Sequence, residues 1–284
     1  MTTETLGPTL SAPIVGASAG PLTQTIDARW LMAYNAALSD ALPRPVAHPL
    51  FAVCYEWPVS AALRERAIGA AIASLSVHAS HDLVVHRPPR AGDRLTTTGT
   101  VADVVQRRAG ALVLMRFVTV DTAGQPVTTT TYGSVYRGVT VTDRDERPDR
   151  PAVPRLAGEA EARPSDAAWT ETVTVAANAA HVYTECARIW NPIHTDETVA
   201  RAAGLPGIIL HGTATLALCI ARVVSRDLGN DPVRVHGVSA RFTGMVTLPS
   251  TFVLRVARTA ARGIAFDAVD GHGRPILSQG ALST

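Results

Sequence analysis

The 284 residues suffice for one large domain or two of about 130 residues each, and 46% hydrophobic with 18% charged residues describes a globular chain with a sizeable core. A formal net charge of +2, with arginine supplying every basic residue and no lysine present, is too small to argue for nucleic acid or an anionic membrane as a partner. Cys54, Cys186 and Cys219 are widely spaced with no metal-ligand pattern, which fits free thiols in a reducing cytoplasm.

The N-terminus lacks a basic segment followed by an apolar run, so no signal peptide is expected, and the predicted localisation is cytoplasmic. Gly16-Ala-Ser18-Ala-Gly20 matches the nucleophile-elbow string but has no strands before it to form the elbow. Glu65 to His78 is Ala-rich and apolar nearly all round, predicting a buried helix. His78, His81 and His86 lack a third ligand at convincing spacing, so no metal is expected.

Phe117-Val-Thr-Val-Asp121-Thr-Ala-Gly124-Gln-Pro126-Val127 reads as strand, Asp/Gly turn and return strand. It recurs as Phe266-Asp-Ala-Val-Asp270-Gly-His-Gly273-Arg-Pro275-Ile276, and the approach to the strand at Leu95 likewise parallels Phe242 to Leu254. Two copies at this spacing indicate a duplicated unit rather than a solenoid. Between them, residues 143–168 are charged and proline-rich, predicting a linker that separates an N-terminal unit, 1–142, from a C-terminal unit, 169–284.

The second unit holds the densest text, Tyr183-Thr-Glu-Cys-Ala-Arg-Ile189-Trp190-Asn191-Pro192-Ile-His194. Pro192 fixes its own φ and biases Asn191 to an extended backbone, so His194 is aimed in one direction. A short helix follows over 196–204, with an acidic start and a glycine end. Next come Ile208-Ile-Leu-His211-Gly212 and an apolar helix over Thr213–Leu228, ended by Gly229-Asn-Asp-Pro232. Arg222 interrupts that helix too early for a bilayer span.

These residues resemble the hydratase signature of the MaoC-like family, the (R)-specific enoyl-thioester hydratases and dehydratases. Tyr183, Asn191, Pro192 and His194 fall on the signature's aromatic, Asn, Pro and His, and Ile208 to Gly212 on its later His-Gly segment. The family's catalytic Asp falls on Ile189. The resemblance implies an α+β tandem (double) hot-dog fold, two curved antiparallel sheets each wrapping a buried helix, over nearly all of the chain from about Ala28. It implies an acyl thioester substrate on coenzyme A or an acyl carrier protein and a hydro-lyase reaction. The first unit, without an Asn-Pro-x-His string, would shape the acyl tunnel, and two such chains could pair as a homodimer. No Walker loop or dinucleotide fingerprint is present, so no cofactor is expected.

In this reading His194 is the acid-base residue, and Gly212, opening a helix, offers its N–H to the enolate oxygen. Taken alone, a lone histidine at a helix start is more often structural, and a glycine there also serves close packing. Asn191, His211, Tyr183 and Trp190 are candidate substrate contacts; His211 could equally bond the backbone, and Trp190 could be a buried packing residue. Ile189 can neither take nor give a proton, which leaves three readings. His194 acts with a second group from Tyr183, Glu185, His78, His81 or Asp82; the pocket serves another thioester reaction such as isomerisation or cyclisation; or the protein binds thioesters without catalysis. A thioesterase lacks a candidate carboxylate.

Overall fold

The computed structural model describes residues 7–38, 46–143, 167–258 and 263–284. All but two of its strands belong to one antiparallel sheet of ten strands in the order β2-β4-β5-β6-β3-β9-β12-β11-β10-β8. The first half supplies β2 (Ser18–Thr25), β3 (Ser76–Val85), β4 (Arg94–Arg107), β5 (Gly110–Val120) and β6 (Pro126–Arg137). The second supplies β8 (Trp169–Val175), β9 (Gly237–Phe242), β10 (Ser250–Arg258), β11 (Gly263–Asp270) and β12 (Pro275–Ser283). The order reads the same outward from its centre, where β3 pairs with β9 from Ser80↔Arg241 to Val84↔Gly237. The halves are thus one unit repeated across a seam. The remaining strands, β1 (Thr9–Ser11) and β7 (Thr140–Thr142), form a small parallel pair.

The two hairpins that repeat in sequence repeat in detail. Asp121 accepts backbone N–H bonds from Ala123 and Gln125 at 3.0 Å each; Asp270 accepts them from His272 at 2.8 Å and Arg274 at 2.9 Å. Gly124 and Gly273 hold φ of 75° and 76°, a left-handed turn that glycine enters without strain. Gly110, opening β5 at φ 143°, is tighter still, because a Cβ there would overlap the Tyr136 carbonyl oxygen. Gly110→Ala is therefore expected to cost about 2 kcal/mol or more, read as a lowered thermal midpoint.

Each half buries one long helix against its sheet. In the second it is α6 (Gly212–Asp227), as the apolar pattern over 213–228 predicts. In the first it is α2 (Ala52–Ala67), not Glu65–His78. The Ala-rich run instead closes α2, turns at Gly69 with φ 81°, makes one helical turn, α3 (Ala70–Ala73), and enters β3 at Ser76. Alanine's small, weakly patterned surface reads as buried helix, whereas Glu56, Trp57 and Pro58 hide the real one.

The shorter helices α1 (Ala28–Ala37) and α4 (Ala179–Ala187) occupy equivalent places and pack together, with Tyr34 and Tyr183 hydroxyls 3.3 Å apart. No described helix is long and apolar enough to cross a membrane. All of the expected linker between Asp143 and Ala167 lies outside the described residues.

Candidate active site

The site is built from two turns brought together beside α6. The first begins where α4 ends: Arg188 takes a left-handed conformation at φ 57°, and Ile189 N–H returns to the Thr184 carbonyl at 3.0 Å. Asn191 is extended at φ −146°, as a residue before proline should be, and Pro192–His194 make one 3-10 turn. Asp196 then caps α5 (Glu197–Ala202), accepting from the backbone of Thr198 and Val199. The second turn runs through the Ile209↔Thr247 bridge and the Leu210 N–H bond to Val246, 2.8 Å, into Gly212.

His194 Nδ1 donates to the Ile209 carbonyl at 2.8 Å, which fixes the ring and leaves Nε2 as its lone-pair nitrogen. The ring stacks on His211, centroids 3.7 Å apart and planes 25° apart. His211 in turn lies 3.4 Å from the Thr184 hydroxyl. Burial pulls the His194 pKa down to about 4, opposed by the Ile209 bond; burial and then the neighbouring His194 hold His211 well below the usual range. Both rings are neutral at pH 7.

Gly212 is the first residue of α6, so its N–H lies outside the helix's own ladder. A Cβ there would sit 3.0 Å from the Phe242 ring; glycine is what lets that ring lie against the helix start.

These residues open on a cleft of about 1220 Å³, including its mouth, walled by both halves. Ile189, Asn191, His194, His211 and Gly212 line it, and among the described residues no Asp or Glu does. Two expected contacts are not on its wall. Tyr183 is buried behind His211, its hydroxyl on Tyr34 and Thr213. Trp190 points away, 61% exposed, neither walling the cleft nor packed inside.

Of the five groups considered as partners for His194, His78 alone lines the cleft, with its ring 4.5 Å from that of Phe242. Burial, then the nearby Arg64, lower its pKa to about 3. His81 is fully buried, and neither ring nitrogen has a hydrogen-bond partner among the described residues. Asp82 faces Arg241 at 3.9 Å across the seam, and Glu185 is exposed.

The sequence reading missed Tyr132, which lines the cleft, and the fully buried Glu56 behind it. Glu56 accepts from the hydroxyls of Thr130 at 2.6 Å and Tyr132 at 2.5 Å. Burial raises its pKa to about 7 in spite of both bonds. A lone carboxyl within the mainly apolar run from Phe51 to Leu63 was the available signal. Among the described residues no three His, Cys, Asp or Glu side chains could together hold a metal ion.

The fold and cleft define a tandem hot-dog protein with a paired-histidine site at a helix start. Residues 160–276 match the MaoC like domain and residues 15–130 the FAS1-like dehydratase domain region, so the second half is a MaoC-like dehydratase domain and the first a FAS1-like dehydratase region. The chain is 36% identical over 75 residues to the enoyl-CoA hydratase ChsH3 of Mycobacterium tuberculosis, covering 26% of each protein. It is 35% identical over 102 residues to a fatty acid synthase subunit beta of Aspergillus oryzae, covering 35% of this chain and 4% of that one. A MaoC-like dehydratase from Phytophthora capsici shares the fold at a TM-score of 0.75 and 20% identity, over 95% of both chains. The matched segments thus span a small part of these curated relatives.

Proposed function

We propose that the protein adds water to, or removes it from, the α,β bond of an acyl thioester carried by coenzyme A or an acyl carrier protein. The observation that carries this reading is that the neutral His194, with its Nε2 lone pair, and the unladdered N–H of Gly212 line one cleft walled by both halves. It is supported by the names of the similar proteins, enoyl-CoA hydratase and fatty acid synthase subunit.

One histidine suffices for the chemistry. His194 Nε2 takes a proton from water as the oxygen bonds to Cβ; the double-bond electrons move to Cα and the carbonyl oxygen, giving an enolate held by Gly212 N–H. The imidazolium then returns the proton to Cα, so that H and OH have been added and the histidine is neutral again. Dehydration runs the same steps backward. The Asn191 side chain orients the water, a task for which Ile189, where the resembled signature has Asp, offers no polar atom.

The first half holds Pro49 where the second holds Gly212, each directly after a histidine and at the start of its helical segment. Proline is therefore compatible with such a position while lacking the N–H. With 2-enoyl thioesters of stepped chain length, the wild type is expected to yield products one water heavier. Gly212→Pro should turn over about 100- to 1,000-fold more slowly than Gly212→Ala, which meets the same Phe242 ring but keeps the donor. A wild type that adds no water at any chain length overturns the reading; equal rates in the two variants overturn the role of Gly212.

A further inference from the structure

We propose that the end of the cleft formed by the first half is a subsite for an anionic group of the substrate, a carboxylate or a phosphate, received by the guanidinium of Arg64, with Arg137 on the wall of the same cleft. The proposal rests on the thioester reading and specifies what else that substrate carries.

Val53, Trp57 and Arg64 share one face of α2, at the spacing of helical neighbours, and all three line the cleft. Ser74, Ser76 and Ser134 line it too, together with Arg137, whose guanidinium also donates to the Ala203 carbonyl at 3.1 Å. Among the described residues the wall therefore carries two permanent positive charges and no carboxylate.

Arg64 is the less satisfied of the two. Its Nε is buried and has no hydrogen-bond partner among the described residues, nor does any described carboxylate form an ion pair with it. Other half-buried arginines are paired: Arg255 with Asp267 at 2.7 Å, Arg222 with Glu171 at 2.9 Å and Arg87 with Asp93 at 2.7 Å. Nor does Glu56, two turns earlier on the same helix, serve as counterion, since its oxygens are taken by Thr130 and Tyr132.

What surrounds Arg64 is the Trp57 ring, 5.7 Å from its Cζ, and the neutral His78 and Tyr132, both close enough to feel its charge. Arg64 is half-buried, with its Nε withheld from water and unpartnered, so a ligand that supplies an acceptor and a counter-charge there gains a charge-assisted bond that no described side chain makes. Guanidinium geometry suits the paired oxygens of carboxylate or phosphate.

The two sources of the anion separate in a binding experiment. Calorimetric titrations would use His194→Ala, so that nothing turns over, with and without Arg64→Ala or Arg64→Gln. The probes are four saturated thioesters: a methyl-ended and a carboxyl-ended chain, each on coenzyme A and on phosphate-free N-acetylcysteamine. If the anion ends the acyl chain, losing Arg64 weakens both carboxyl-ended thioesters by about tenfold or more and spares the methyl-ended ones. If it is the carrier's phosphate, both coenzyme A thioesters weaken and both N-acetylcysteamine thioesters are spared. Loss of Arg64 that changes no affinity, or all four alike in folded protein, overturns the subsite and leaves the thioester reading standing. Failure of the protein with Arg64 intact to bind any of the four overturns both.

Discussion

Replacing His194 by alanine is expected to lower the rate of water addition by about 100- to 10,000-fold, the usual worth of a positioned acid-base group. The residue also has a structural job, since its Nδ1 bond to Ile209 ties the two turns together, so thermal melting must be followed alongside. A merely structural histidine would lower the melting point and leave the folded fraction active. The wild-type pH profile separates the roles further. Because burial holds the His194 pKa near 4, its lone pair stays available well below the pKa of an ordinary histidine. The acid limb of kcat/KM should therefore fall near pH 4, where an exposed base would lose activity near pH 6.5.

The second large effect is on stability, at Glu56. Its carboxyl is fully buried, and its pKa rises from 4.5 unfolded to about 7 folded. Between those values the folded chain binds more protons than the unfolded one, so this group's contribution is greatest below pH 4.5, falls as pH rises, and is level again above 7. The shift corresponds to about 3 kcal/mol. His78 and His194 act in the opposite direction: their pKa values, lowered to about 3 and about 4, mean stability present above pH 6.5 and lost as pH falls toward those values, and burial lowers His211 in the same sense. The total curve mixes the two, so the informative quantity is wild type minus Glu56→Gln, a near-isosteric variant without the titration. That difference should turn against the wild type as pH is raised from 5 to 8. A difference flat with pH would mean Glu56 does not carry the proton assigned to it.

What was legible in the sequence was what local geometry fixes. Pro192 forces Asn191 to extend, and the Asp-x-x-Gly turns at 121 and 270 carry their own backbone ligands, so the site turn and the duplication were readable from text alone. The α6 pattern held because its residues are buried on nearly every side. The α2 helix was missed because its buried Glu56 is satisfied by Thr130 and Tyr132 on a distant strand, which no local pattern records. Tyr183 was placed on the substrate because aromatic identity does not say which side of α4 meets the cleft; it lies against Tyr34 and His211 instead. Trp190 points outward because the extended step into Asn191 turns it away from Ile189, which does face the cleft. His78, Tyr132 and Arg64 reach the site only through the β3–β9 seam, whose paired residues are more than 150 positions apart, and the fold of α2 against its own half's strands.

The claim at the centre of this account is that a single histidine both takes the proton from water and returns it to the α-carbon. Its most direct test is hydration of a 2-enoyl thioester in heavy water, with the relative configuration at the α- and β-carbons of the product read by NMR. One base working from one side of the chain predicts that the deuterium at the α-carbon and the hydroxyl at the β-carbon arrive on the same face. Addition to opposite faces would require a second proton donor across the cleft, and would contradict the account.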